Sequence, residues 1–479
     1  MVEFMQMASA VLDNLLSSLD NSIEYSDGQV RVIDEQPARA KIGVLARASA
    51  LGSDEEQAWA RYLTRLIALE LGAIPASVYE LYMARGRGEV PPNFTVPAMN
   101  LRALSYDAAR AVFRNVKRID AGAFIFEIAR SEMGYTEQRP AEYATNVLAA
   151  AIAEGWQGPV FIQGDHFQVS PKRFKEDPDK EMQTLEELTI EAIDAGFFNI
   201  DIDSSTLVDL EQPTVPEQQR KNAEMTAHFI EFIRQREPDG VTVSVGGEIG
   251  EVGGRNSTEE ELRAYVGEYQ MAMEDRGEMA GLSKISIQTG TSHGGVVLPD
   301  GTVATVKVDF DALLRLSRVA RLEYKTAGAV QHGASTLPQE AFGKFVDSEA
   351  CEVHLATNFQ NMLYDLLPKP ILSAVYLFVN NKFGKERKPD QTDEQFHYSN
   401  RKHALGPFKA GMWNLPADAK EKITQAWEYQ FALLFDLLAI GGTRKYVDQF
   451  VSKPPKVIPS REFYFGEEME QEEVGDLAD

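Results

Sequence analysis

The sequence predicts an α/β chain: a (β/α)8 TIM barrel with helical N-terminal and C-terminal extensions. Three observations predict it. Past a Gly- and Pro-rich break at Arg85–Pro92, eight short β-rich runs alternate with amphipathic stretches long enough to be helices. Several of those runs are near-continuously apolar, as expected where helices cover the outside of a parallel sheet. No Gly-rich dinucleotide turn follows the first run, which disfavours the rival doubly wound open sheet.

The elements follow in order. Residues 1–90 read as a helical extension. Phe4, Met5, Ala8, Val11, Leu12 and Leu15 recur at helical spacing, and Ser53-Asp-Glu-Glu opens a second helix running to Arg85. Residues 91–380 form the barrel. Its strands are expected at Phe94–Met99, Ala121–Ile128, Pro159–Gly164, Phe197–Ile202, Val241–Glu248, Lys284–Gln288, Ala329–His332 and Cys351–Leu355. Each is followed by a helical pattern, and roughly 250 residues is the usual size of such a barrel. Residues 381–465 are a helical C-terminal extension, with a long helix expected over Ala417–Ala439. Residues 466–479 are an acidic tail with few apolar anchors, expected to be disordered.

Composition limits the function classes. The chain has 479 residues, 44% hydrophobic and 25% charged, which is a globular balance. Its formal net charge of −25 opposes binding to nucleic acid or to an anionic membrane surface, and no basic run offsets it. The longest apolar stretches, such as Ile371–Val379, are too short to span a bilayer. One cysteine, Cys351, excludes an intrachain disulfide. With no secretory pattern at Met1–Asp20, this predicts a cytoplasmic location.

In parallel barrels the chemistry gathers at the carboxyl ends of the strands. Four of seven histidines fall at or just after such ends: His166, His293, His332 and His354. Three neutral imidazoles with one position left open are a standard way to hold catalytic Zn²⁺ or a similar divalent ion. His166, His293 and His332 are therefore candidate ligands, and Asp165 beside them is a candidate general acid/base. His354 lies inside the eighth strand, and its alternative role is a polar residue of the barrel rim. Glu248 is a candidate ligand or the orienter of one. Asn100, Asp203, Ser205 and His354 are candidate substrate contacts, with capping of the next segment as the alternative for Asp203 and Ser205. Ser335 and Thr357 sit after strands seven and eight, where barrels commonly bind phosphate. The alternative for each is a helix N-cap.

Five motifs follow one another in order: Gly164-Asp-His166, Ile202-Asp-Ser-Ser205, Gly247-Glu-Ile-Gly-Glu-Val-Gly-Gly254, Gly290-Thr-Ser-His-Gly294 and His332-Gly-Ala-Ser335. Together they resemble those of the class II, metal-dependent aldolases, which include the fructose- and tagatose-bisphosphate enzymes. Phe94-Thr-Val-Pro-Ala-Met-Asn100 is similar to that family's first strand. The likeness runs from about Asn93 to Tyr364. It implies three metal ligands (His166, His293, His332), a proton-accepting Asp165, an inner carboxylate at Glu248, and phosphate contacts at Ser335 and the Gly294 and Gly333 backbone. It also implies retro-aldol cleavage of a ketose phosphate or related sugar, with a metal polarising the ketone and stabilising an enediolate, and a homo-oligomer. A lysine-based imine mechanism is disfavoured, because Lys284 opens strand six at the end of the barrel away from the mouth.

The chain departs from the family's pattern at several places. Gly246 stands where the family has Glu, and Arg255-Asn256-Ser257 where it has an acidic pair. Val296, Val297 and Leu298 replace a phosphate-side lysine loop, and Glu352 and His354 replace a lysine and an asparagine. The metal site is thus more completely matched than the substrate site, with Arg255 as a candidate replacement cation. These departures also motivate two other readings: a non-catalytic accessory subunit of an aldolase, or another sugar-converting metal enzyme, such as an epimerase, on the same barrel.

Overall fold

The computed structural model of the chain describes residues 2–250, 255–290, 298–299, 308–334, 337–466 and 477. Its strands are β1 (Ile23–Ser26), β2 (Gln29–Val32), β3 (Ala73–Ala76), β4 (Val96–Asn100), β5 (Ile125–Ala129), β6 (Gly158–Gln168), β7 (Asn199–Asp203), β8 (Ser244–Glu248), β9 (Lys284–Ile287), β10 (Ala329–Gln331) and β11 (Glu352–Leu355). Strands β4 to β11 pair in parallel with their sequence neighbours, and β11 pairs back onto β4. The result is a closed eight-stranded parallel barrel ringed by helices, and each of the eight expected strands overlaps one of its staves. Closure gives each of the eight staves a paired neighbour on both sides, with an inner and an outer face.

The alternation of β7 shows how sequence sets those faces. In Asn199-Ile200-Asp201-Ile202-Asp203 all five residues are buried. Ile200 and Ile202 join the apolar layer under the helices, while Asp201 and Asp203 reach polar partners in the interior. The helices supply the other half of that layer. In Ser105–Arg118, for example, Ala108, Ala109, Val112, Phe113 and Val116 are buried at helical spacing.

The N-terminal ninety residues hold three strands that helical spacing alone did not predict. β1 and β2 form an antiparallel hairpin across Asp27 and Gly28, both at positive φ, as a tight Asp-Gly turn demands. β3 pairs in parallel with the first part of β6, while β7 pairs with its last part. At eleven residues β6 is long enough to serve both. Asn199 stitches the fork, accepting from Val78 N (2.8 Å) and donating to the Ala76 and Ile162 carbonyls.

The helix Tyr79–Arg87 plugs the floor: Arg85 donates to the carbonyls of Phe94, Glu349 and Ala350, and the Tyr82 hydroxyl donates to Glu352 inside the barrel. The C-terminal extension packs at both ends: at the floor Thr95 N donates to Leu438 O, and Thr443 Oγ1 accepts from Gly122 N and Ala123 N, while other contacts lie at the mouth. There Tyr364 donates to the Arg401 carbonyl (2.5 Å), Gly406 N to Tyr135 O (3.0 Å), and Thr392 to Pro299 O (2.9 Å). The expected acidic tail lies almost wholly outside the described residues.

Candidate metal and active site

The mouth is organised by a bulge in β6. Opposite the single residue Asp201, β6 inserts two, Asp165 and His166, between the pairs Gly164↔Ile200 and Phe167↔Ile202. In a regular strand consecutive side chains face opposite ways. Here His166 adopts φ 40°, a left-handed conformation that side chains other than glycine rarely take, and both Asp165 and His166 face the interior. The space left by the turn is taken by Phe167, whose ring would lie 2.4 Å from any Cβ on Gly164. Such local strain, held in place by surrounding packing, is a common mark of a functional position.

Around that bulge the structure gathers most of the candidate residues that lie within the described part of the chain. Potential ligand atoms of Asp165, His166 and His332 all lie within 4.8 Å of one another, as do those of His166, Asp203 and Glu248. The His166 and His332 ring centroids are 4.2 Å apart, and those of His332 and His354 are 4.1 Å apart. His166 Nδ1 lies 3.3 Å from Asp203 Oδ2 and 3.4 Å from Glu248 Oε2. His332 Nε2 contacts Ser286 Oγ at 2.9 Å. His293, Gly294 and Ser335 lie outside the described residues.

The remaining candidates divide. Asp203 serves the site through Oδ2. Its Oδ1 accepts from Ser205 N (3.0 Å) and Oγ (2.6 Å), so Ser205 braces it in the turn after β7. Asn100 ends β4 and donates to Glu132 (2.5 Å), while its Oδ1 is buried with no hydrogen-bond partner among the described residues. Thr357 is buried at the first turn of the helix Thr357–Leu366, and Gly333 turns the chain after His332 at φ 66°. His354 faces the interior, with Nδ1 3.1 Å from Asp165 Oδ1 and Nε2 2.7 Å from Glu352 Oε1. Arg255, by contrast, pairs with Glu261 at 2.7 Å and is half exposed.

Below the mouth lies a layer of charge that strand-end reasoning did not find. Lys284 is fully buried. Its Nζ lies 2.5 Å from Glu352 Oε1, 2.8 Å from Asp201 Oδ2 and 2.7 Å from Gln163 Oε1. Gln163 in turn donates to Glu127 and Glu352. Gly246 has no side chain because none fits: a Cβ there would meet Asp201 Oδ1 at 2.3 Å and Lys284 Cε at 2.9 Å. Thus the lysine–aspartate pair fills the place of the family's glutamate. The signal was available, since Gln163/Asp165, Asp201/Asp203, Lys284/Ser286 and Glu352/His354 each set polar residues two apart within an apolar strand, the period of one face.

The electrostatics separate the two layers. Burial pushes the Lys284 ammonium down, but Asp201 and Glu352 outweigh it and the pKa rises; it stays a cation and no nucleophile. Burial likewise favours protonated Glu352, yet Lys284 and His354 hold it near 2. At the mouth, burial and the Asp203 charge raise Glu248 to about 8. His166 is lowered by burial but raised well above its ordinary value by Asp165, Glu248 and Asp203. Asp203 and Glu248 pair with the His166 imidazole, and Asp165 lies against those of His166 and His354. Two buried carboxylates, a partly buried third at Glu248 and two imidazoles, all nitrogen or oxygen donors, fit a divalent cation such as Zn²⁺.

The family model for class II fructose-bisphosphate aldolase matches residues 91–424, about seven-tenths of the chain. The chain belongs to the class II fructose-bisphosphate aldolase family. Its likeness to other class II aldolase-like proteins is remote, so it is a divergent member. No curated protein matches it. Among solved structures, the fructuronate-tagaturonate epimerase UxaE from Cohnella laeviribosi is similar at TM-score 0.54 and 11% identity, covering 90% of this chain and 99% of that one. The fructose-bisphosphate aldolase of Campylobacter jejuni gives TM-score 0.46 at 14% identity, covering 75% of this chain and 93% of that one. The YdjI aldolase of Escherichia coli K12 gives 0.43 at 11%, covering 77% and 98%. Class II aldolase membership assigns the chain to carbohydrate-processing enzymes. No described helix is long and apolar enough to cross a membrane.

Proposed function

We propose that the chain is a divalent-metal-dependent carbon–carbon lyase that cleaves or forms the aldol bond of a ketose phosphate or related sugar derivative, with Zn²⁺ as its metal. The observation that carries this reading is the buried convergence of Asp165, His166 and His332 at the β6 bulge. His166 and His332, with His293, would hold the ion, and Glu248 would complete or orient the set. The metal, when bound, supplies Lewis-acid polarisation of the substrate carbonyl. Asp165 takes the proton from the hydroxyl beside the breaking bond and returns it in the reverse direction. Asn100 offers its buried Oδ1 to a substrate hydroxyl, and Ser335, Thr357 and the Gly294 and Gly333 backbone would hold the anionic end. Lys284 takes no part as an imine-forming amine, because two carboxylates keep it charged in the floor of the barrel.

The test is metal content joined to turnover. Purified protein should hold about one equivalent of Zn²⁺ per chain and split fructose or tagatose bisphosphate or a hexuronate ketose into two carbonyl fragments. Chelation should abolish both properties, and His332→Ala should lower both. Unchanged metal content and turnover in His332→Ala would sink the reading.

A second reading is a ketose epimerase, in which Asp165 exchanges a proton and no fragments leave. Its support is a likeness of fold to UxaE that includes both terminal extensions, together with hydrophobic Val296, Val297 and Leu298 where the family places a phosphate-side lysine. Appearance of the isomeric ketose without free aldehyde would favour it over the lyase.

A further inference from the structure

The interior of the barrel holds a continuous line of side chains from its floor to the proposed catalytic carboxylate. Lys284 Nζ contacts Glu352 Oε1 (2.5 Å), the same oxygen faces His354 Nε2 (2.7 Å), and His354 Nδ1 faces Asp165 Oδ1 (3.1 Å). Every member is at least nine-tenths buried. Glu352 is further fixed by donors from Tyr82 and Gln163. Both ring nitrogens of His354 thus point at carboxylates, and the ring cannot turn without losing one of them.

Two groupings in this line have the donors of a metal site: Glu127 with Glu352 and His354, and Asp165 with Asp201 and His354. A second metal is nevertheless the poorer account. The Lys284 ammonium already stands within 2.8 Å of both Asp201 and Glu352, where a cation would sit. A buried lysine in that position neutralises the floor permanently and leaves the line free to act mechanically.

We infer that Glu352 and His354, anchored by Lys284, form a clamp that fixes the Asp165 carboxylate beside the metal ligands, which makes His354 a positioning residue for proton exchange at Asp165. The inference rests on the lyase-or-epimerase reading for what Asp165 does, but not for where it is held. The clamp also accounts for two departures from the family's pattern, since Glu352 and His354 act as a matched pair. Positioning matters because a displacement of about 1 Å at a reacting group can cost about 100-fold in rate.

Two substitutions separate the ring's contacts. In His354→Asn the side-chain amide occupies the place of Nδ1 and keeps the donor to Asp165 while giving up Glu352. In His354→Gln the amide reaches the place of Nε2 and keeps Glu352 while giving up Asp165. Crystal structures of the Zn²⁺-loaded wild-type and variant proteins should show Asp165 unmoved in His354→Asn and rotated in His354→Gln. On any ketose the wild type converts, His354→Gln should lose about 100-fold in kcat with little change in KM, and His354→Asn should retain most of kcat. An unmoved Asp165 in His354→Gln overturns the clamp, as does an equal loss of kcat in both variants. If the wild type converts no ketose, the lyase and epimerase readings fall, and the Asp165 position alone still decides the clamp.

Discussion

The floor and the mouth of this barrel are built from the same materials and differ in how they are neutralised. In the floor, Asp201 and Glu352 surround Lys284, and the charge is settled by the chain itself. At the mouth, the Asp203 and Glu248 carboxylates face His166, with no lysine or arginine paired to either among the described residues. Burying carboxylates is costly in either place. A region that supplies its own cation is complete on folding. A region that does not must hold protons or take up an ion from solution. The proposed chemistry belongs at the mouth, with the floor as its foundation.

The largest expected effect comes from breaking the floor. Lys284→Met leaves Asp201 and Glu352 buried without their cation, and removing one partner of a buried pair typically costs about 3–5 kcal/mol. Denaturant unfolding of the metal-free protein should show that loss. Combining the change with Glu352→Gln and Asp201→Asn should recover most of it, because the uncompensated charges are gone. A loss below about 1 kcal/mol for Lys284→Met would mean that water reaches the floor and that the two regions do not differ as described.

A smaller effect tests whether the floor is as tightly filled as its contacts imply. Gly246→Ala adds one methyl group against Asp201 and Lys284, at separations no real Cβ tolerates. Overpacking of this kind costs about 1–3 kcal/mol. Because the shift falls on the floor, Zn²⁺ content should change little. A marked loss of metal with unchanged stability would show instead that position 246 belongs to the mouth.

The two regions were unequally legible in the sequence. The eight staves could be read from alternation, since short apolar runs set between helical patterns suit a parallel sheet covered by helices and little else. The mouth was readable because histidines at strand ends are rare enough to stand out. The floor was not, because Lys284 opens its strand, at the end that points away from the mouth. Its four-carbon stem carries the ammonium into the interior, and only the period-two pairing of polar residues along β6, β7, β9 and β11 signals that layer. The bulge at Asp165–His166 was invisible for a different reason. Strict alternation would have sent one of those side chains outward, and only a residue forced to positive φ brings both to the site. The β1–β2 hairpin was signalled by Asp27-Gly28 and was obscured by the helical spacing on either side.

The least effect is expected from pH, and near pH 8 it acts chiefly on the mouth. In the metal-free protein Glu248 is raised to about 8 and His166 well above its ordinary value, so both carry protons at neutral pH. A metal ion must displace them. Raising the pH removes those protons beforehand, so Zn²⁺ affinity should climb as pH rises towards 8, by up to about tenfold per unit for each proton displaced, or about 1.4 kcal/mol. Calorimetry in buffers of different ionisation enthalpy should record proton release on Zn²⁺ binding near pH 7. In the floor Glu352, near 2, and Lys284, above its usual value, do not titrate at neutral pH, while Asp201, raised by burial to about 6, loses its proton at the lower edge of this range. Glu248→Gln should therefore flatten the dependence, whereas Glu352→Gln should leave its slope in place. An affinity that stayed constant between pH 6 and 8 would mean that the mouth, like the floor, is already neutral without its ion.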